Sequence, residues 1–302
     1  MREDYDLAVR YADLVVEELE PGPRTLLSVD VEDYYHEVPG GRELYARGDL
    51  PSNLPRNVDA LLDLFAVRGA KATFFVLSDT VPRLGSQLAR IVAEGHEVAS
   101  HGHAHLRATW ASREEFREDV RRAKATLEDA TGREIKGFRA PYFAVTESNL
   151  WALDEIAEAG YLFDSSVCPV QNFAYGVPTA PERPHRLRNG LVEVPLTRVR
   201  VLGRSTMLAG GFYLRLYPLW LTLALLRLRD PTLPRVVYVH PYELDEPRLN
   251  LWDLGADLPG LRWRPRTIKF ATTFNRRATY GRLDRLLAHL GPGVAVGEVL
   301  PL

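Results

Sequence analysis

Between Thr25 and Val239, short apolar runs alternate with longer stretches of helical period, and this alternation constrains the fold more than anything else in the chain. Thr25–Val31, Ala72–Leu77, Glu97–Ser100, Ile135–Arg139, Leu162–Phe163 and Arg235–Val239 read as strands, mostly buried. Residues 55–68 suit a helix stopped by Gly69, and Pro82–Glu94 a helix stopped by Gly95. Ser112 and Glu115 have capping-box spacing and open a long helix to about Ala130. Thr146 is the expected cap of a further helix running to Gly160. Such alternation predicts an α/β fold, with parallel strands and outer helices forming a distorted or incomplete (β/α) barrel. After residue 170 the rhythm loosens into proline-rich loops, strand signals at Leu191–Val194 and Val199–Leu202, and a helix over Leu214–Leu228. A helix near Arg282–Leu290 and a last strand near Val294–Val299 close the chain. Ahead of the first strand, Leu7, Tyr11, Leu14 and Val15 recur at helical period and predict an added helix over residues 5–19.

Composition narrows the function classes. The 302 residues include 38 Lys+Arg and 40 Asp+Glu, so a net charge of -2 gives no footprint for nucleic acid. With 46% hydrophobic and 26% charged residues, wholesale disorder is excluded. Met1–Glu20 is polar and acidic, without the apolar core of an export signal. Phe212–Leu228 is interrupted by Arg215, Pro218 and Arg227 and is too short to span a bilayer. The expectation is a cytoplasmic protein with no transmembrane segment. The single cysteine, Cys168, excludes an intramolecular disulfide and any multi-cysteine metal site. A metal would therefore be held by carboxylates and by the eight histidines, four of which fall between residues 96 and 105.

Chemistry in barrels of this class sits where strands end. The first strand ends in Asp30-Val31-Glu32-Asp33 and the third in His101-Gly102-His103-Ala104-His105. Arg139-Ala140-Pro141-Tyr142 follows the next, Asp164-Ser165-Ser166 the one after, and His240-Pro241-Tyr242-Glu243 the late apolar strand. Each piece alone has an ordinary structural reading as a solvated loop, an ion pair or a core histidine. Their joint placement at successive strand ends is what points to a site.

In these residues the chain resembles the polysaccharide deacetylases of carbohydrate esterase family 4, the NodB-type deacetylases. Asp30 and its neighbours resemble the family's first motif, and Gly95-His96-Glu97-Val98-Ala99-Ser100-His101 through His105 its second. Arg139-Ala140-Pro141-Tyr142 matches the third, and His240 stands where the family has its late histidine. Asp30-Val31-Glu32-Asp33-Tyr34-Tyr35-His36, His240-Pro241-Tyr242-Glu243 and the tail Phe274-Asn275-Arg276-Arg277 further resemble exosortase-associated deacetylases encoded with exopolysaccharide genes. The resemblance implies residues 1–22 as an N-terminal extension, 23–245 as the NodB-like catalytic domain, and 246–302 as a C-terminal extension packed on it.

It also implies roles. His101 and His105 would ligate a divalent metal with one carboxylate, Glu32 or alternatively Asp33. Zn2+ suits such a set best, with Co2+, Mn2+, Ni2+ and Fe2+ as alternatives. Asp30 would be the general base, kept ionised and oriented by Arg139. The backbone N–H of Tyr142 would face the developing oxyanion, and His240 would protonate the leaving amine. Asp164 would polarise His240, position Arg139 or cap a loop. Tyr35, His36, His103 and Pro141 would meet substrate. Gly210-Gly211-Phe212-Tyr213 reads as a turn, or as backbone brought close to a sugar.

The implied activity is metal-dependent removal of N-acetyl groups from N-acetylhexosamine units of an exopolysaccharide or its precursor. Rival readings are a cyclic-amide or ureide hydrolase on the same fold and a non-catalytic sugar-binding relative. The implied partner is an acetylated oligo- or polysaccharide, with the oligomeric state open. Two settings fit: a cytoplasmic lipid-linked precursor, or the inner face of the membrane reached through partners.

Overall fold

A computed structural model of the chain describes residues 10–37, 50–171, 175–246, 248–250 and 266–302, the side chains of 266–268 excepted. Its centre is a nine-stranded sheet in the order β1-β7-β8-β6-β5-β4-β3-β2-β11. The strands are β1 Val15–Glu18, β2 Thr25–Val31, β3 Thr73–Val76, β4 Glu97–Ser100, β5 Gly137–Phe138, β6 Phe163–Asp164, β7 His185–Leu187, β8 Val192–Glu193 and β11 Arg235–Val239. A separate hairpin pairs β9 Arg198–Val201 with β10 Arg204–Met207. From β11 to β8 every pairing is parallel, and β7 with β1 is antiparallel. Among the described residues β1 and β11 are the two edges, so the curled sheet is an incomplete barrel.

Register places the site. Val31 pairs with Val76, Val76 with Ser100, Ser100 with Phe138, Phe138 with Asp164, and Asp164 with Glu193. Val239 of β11 sits opposite Val29. The residues that follow these positions therefore emerge on one rim. All of β2 is buried, as expected of a strand covered on both faces.

Helices α1 Leu54–Arg68, α2 Ser86–Ala93, α3 Arg113–Thr131 and α4 Trp151–Glu158 lie between these strands in sequence. Helix α1 buries Leu54, Val58, Leu61, Leu62 and Phe65, each side chain contributing about 1.5–3 kcal/mol. Gly69 ends it in the left-handed conformation at φ 61°. Ser112 opens α3 as the spacing predicts: Glu115 N donates to its hydroxyl and Ser112 N to Glu115 Oε2. Later come α5 Gly211–Leu216, α6 Leu219–Leu226, α7 Arg266–Thr273 and α8 Thr279–Leu290. Helix α8 packs on α1, α5 and α6, and Val294 bridges to Leu26 of β2.

Several boundaries depart from expectation. The helix predicted over 5–19 is, where described, one 3₁₀ turn at Tyr11–Leu14 followed by strand β1. The free edge of β7 captures Val15–Glu18, and the Tyr11 hydroxyl bonds His185 Nε2 at 2.7 Å. Pro82–Glu94 breaks at Gly85, whose φ of 56° no helix interior adopts. Thr146 caps nothing: its N–H donates to Asn149 Oδ1 in a turn, and the helix begins only at Trp151. Pro218 divides Leu214–Leu228 into α5 and α6, and no described helix is long and apolar enough to cross a membrane. The predicted last strand shrinks to the Val294 bridge, because Gly297 N donates to Glu97 Oε2 and the chain turns there.

Candidate active site

Glu32, His101 and His105 each bring a donor atom within 4.8 Å of the others at the end of β2 and β4. His101 is aimed by its own backbone, whose N–H donates to Val76 O at 2.9 Å. Its Nδ1 lies 2.8 Å from Arg139 O, an acceptor only, so Nδ1 carries the proton and Nε2 keeps a lone pair. Asp119 of α3 shapes the intervening loop by accepting from His103 N and Ala104 N, both at 2.8 Å. His105 adopts a positive φ of 51°, and its Nε2 stands 2.5 Å from Glu32 Oε2. Burial pushes His101 down to about 3 and His105 to about 4, so both are neutral donors near pH 7. Burial raises Glu32 to about 7, against the lowering pull of His240.

This set fits a divalent cation. It offers two neutral imidazoles and one carboxylate, all buried, with their donor atoms gathered within reach of a single ion. Asp33, the alternative ligand, is not in the group. One of its oxygens accepts from the Ser52 hydroxyl and the other from Tyr34 N at 2.9 Å.

Beside the set lies Asp30, 1% exposed, with Arg139 Nη1 donating to its Oδ1 at 2.6 Å. Arg139 is itself fully buried. It also donates to Ser28 Oγ, Ser165 O and Ser165 Oγ, and it lies 4.0 Å over the Phe75 ring. Opposite, His240 Nε2 is 3.8 Å from Asp30 Oδ2 and 3.4 Å from Glu32 Oε1. Behind it, Glu243 Oε2 is 3.6 Å from Nδ1 and accepts from His240 N at 3.2 Å. Burial by itself would lower His240, but adjoining Glu243, with Glu32 and Asp30, outweighs it and raises the imidazole to about 10. Glu243 is held at about 2: burial opposes this, and the Arg215 guanidinium and His240 override it. The result is an ionised pair, with His240 carrying a proton near neutral pH.

These groups open onto a cavity of about 300 Å³ lined by Asp30, Glu32, His101 and His240 on its polar side. Phe143, Met207, Phe212, Tyr213 and Tyr238 make an apolar wall. A cavity of that size lies at the lower end for small-molecule sites.

Residues 48–162 match the family model "Polysaccharide deacetylase". Residues 165–291 match a second model, a domain of unknown function, DUF3473. Over residues 48–162 the chain is thus similar to the polysaccharide deacetylases. Its deacetylase match holds His101, His105 and Arg139, while Asp30 precedes it and His240 lies in the second region. The chain is 28% identical over 96 residues to a peptidoglycan-N-acetylglucosamine deacetylase of Bacillus cereus, covering 32% of this chain and 35% of that protein. It is 31% identical over 124 residues to a chitooligosaccharide deacetylase of Bradyrhizobium sp., covering 41% and 53%. The chain thus spans about a third to a half of the length of these two relatives. Among solved structures, a Mycobacterium smegmatis protein assigned to the polysaccharide deacetylases superposes at TM-score 0.58 and 22% identity over 93% of this chain and 90% of its own. A Bacillus anthracis pseudoenzyme of carbohydrate esterase family 4 gives 0.50 and 12%, over 97% and 72%. At such identities these two likenesses speak for the fold alone.

Of the residues singled out in the sequence, Asp30, Glu32, His101, His105, Arg139, Tyr142 and His240 come together. Others do not. Asp164 stays away from His240: it accepts from Ser166 Oγ at 2.7 Å, and Ser166 Oγ in turn accepts from Ala140 N. It caps a loop and thereby supports the Arg139 segment. Tyr35, His36, His103 and Pro141 are not among the described lining residues, although the His36 ring lies against that of His105, 5.6 Å between centroids. Tyr35 is wholly buried, with its ring against those of Tyr34 and His36. His36 Nδ1 accepts from Asp33 N at 2.9 Å, His103 Nδ1 bonds Ser78 Oγ at 2.8 Å, and Pro141 packs near Gly102. Tyr142 reaches the cavity at φ 59°, its hydroxyl donating to His36 O. No role was anticipated for Glu243 or Arg215. Glu243 had a signal, since it stands three residues after His240 in capping-box spacing. Arg215 read only as an interruption of an apolar run.

Proposed function

We propose that this chain is a metal-dependent N-deacetylase acting on N-acetylhexosamine units of an exopolysaccharide or its precursor. The observation that carries the reading is the convergence of Asp30, Glu32, His101 and His240 on one cavity, with His105 grouped behind it with Glu32 and His101. Glu32, His101 and His105 would hold the cation, and Zn2+ suits two imidazoles and a carboxylate best. When bound, such a cation supplies Lewis acidity, activating water and polarising the acetyl carbonyl. Asp30, fixed by Arg139, accepts a proton from the attacking water. The backbone N–H of Tyr142 is the proposed donor to the developing oxyanion. His240, charged at neutral pH, gives its proton to the departing nitrogen as the carbon–nitrogen bond breaks. Acetate and a free amine result. Acetate release from N-acetylated chito-oligomers, with and without chelator, tests the reading. Turnover that survives chelation, or is undiminished in Asp30→Asn, would refute it.

A further inference from the structure

The region matching a domain of unknown function contains an assembly built around His240. Arg215 of α5 is 1% exposed, and its Nε donates to Glu243 Oε1 at 2.9 Å. The rest of the guanidinium is fixed from the C-terminal side, Nη1 donating to Phe274 O at 2.6 Å and Nη2 to Ala271 O at 2.8 Å. Asn275 Nδ2 and Arg282 Nη1 donate to Arg215 O. Arg276 lies 5.2 Å over the Tyr242 ring, and that ring stacks on His240 with centroids 5.0 Å apart. Phe274-Asn275-Arg276 thus grips both Arg215 and the tyrosine flanking His240.

The glycine pair that opens α5 makes this approach feasible. A Cβ on Gly210 would lie 2.0 Å from the Tyr238 ring. One on Gly211, at φ +49°, would lie 3.3 Å from His240 Cε1. Only glycine lets this backbone seat so close to the imidazole.

We propose that Arg215, braced by the Phe274–Arg276 segment, is a positioning residue that holds Glu243 and through it orients His240 for proton donation. The proposal rests on the deacetylase reading above. It gives the C-terminal region a function: that region completes the acid side of the site, while the matched deacetylase region supplies His101, His105 and Arg139. A guanidinium fork satisfies one carboxylate and two carbonyls at once, which a lysine ammonium on its flexible stem does not reproduce.

The experiment compares an amide with an ester that leaves without needing a proton. The full metal-loaded chain and its Arg215→Gln, Arg215→Lys, Glu243→Gln and Glu243→Asp variants are assayed on chito-oligomer and on 4-nitrophenyl acetate. In Arg215→Gln and Glu243→Gln the amide-to-ester rate ratio is expected to fall about 10- to 100-fold. Arg215→Lys and Glu243→Asp should fall less. The oligomer loss should lie in kcat, with KM moving less than about twofold. An unchanged ratio, or a loss confined to KM, overturns the proposal. Should Arg215→Gln fail to fold, the two Glu243 variants carry the same comparison, and without ester turnover the kcat-against-KM split decides. Wild-type chain that releases no acetate refutes the deacetylase reading itself. Active wild type with unselective variants refutes only the positioning role.

Discussion

Replacing Arg139 by Met keeps most of the side-chain volume and deletes the guanidinium, so the loss falls on its polar contacts. Arg139 makes hydrogen bonds to Asp30, Ser28 and twice to Ser165, all within a fully buried site. Stranding Asp30 as a buried charge costs about 3–5 kcal/mol. Leaving Ser165 O without its charged donor adds about 1–3 kcal/mol. A total of about 4–8 kcal/mol, at roughly 2 °C for each kcal/mol in a chain of this size, lowers the melting temperature by roughly 8–16 °C. The assay is urea and thermal unfolding of wild type, Arg139→Met, Asp30→Asn and the double variant. Once Asp30 is neutral the arginine should matter less, giving a coupling of about 2–3 kcal/mol between the two. A loss below about 2 kcal/mol in Arg139→Met, or a coupling below about 0.5 kcal/mol, would show that the pair is not what anchors Asp30.

Two further outcomes follow from the same geometry. Glu32→Gln should lose zinc affinity more than about 100-fold by calorimetry, whereas Asp33→Asn, which alters only a supporting contact to Ser52 and Tyr34, should lose less than about tenfold; the reverse order would reassign the ligand. His185, lowered to about 4 by burial, accepts from Tyr11 and lies 2.8 Å from Arg183 O through Nδ1. Between pH 4 and 6.5 the unfolded chain binds the proton that native His185 refuses, so its contribution is present above pH 6.5 and lost on acidification. His185→Gln should therefore destabilise at pH 7.5, and the gap to wild type should close by about 3 kcal/mol toward pH 4; a gap independent of pH would refute this.

Parallel strands were legible because burial on both faces writes them as unbroken apolar runs: Arg235–Val239 has the bounds read from sequence. Strand β1 was not, because its pattern is that of an edge. Within the strand itself no residue is buried, only Tyr11, Leu14 and Leu19 beside it, and the spacing of apolar residues there fits a helix as well as a turn followed by a strand. What decided it was the unpaired edge of β7 about 170 residues away. The break at Gly85 likewise has no periodic signature, since the residues on either side continue a helical pattern.

The site divides along the same line. Asp30 lies near the end of β2, and His101, Arg139 and His240 directly follow β4, β5 and β11, strands whose register is fixed, so their position along the chain already places them on one rim. Tyr35 and His36 were drawn toward the cleft by proximity in sequence to Asp30. The chain turns after Glu32, where His36 N donates to Asp33 O, and buries both rings, with Tyr35 against His36 and His36 against His105 rather than on the cavity wall. Arg215 shows the opposite failure. Its partners, Glu243, Ala271 and Phe274, lie 28, 56 and 59 residues away, and two of them contribute only a backbone carbonyl. No residue type records a carbonyl contact, so such a brace cannot be seen in sequence. Its trace is the burial of a charge in an otherwise apolar helix, and that burial demands a partner.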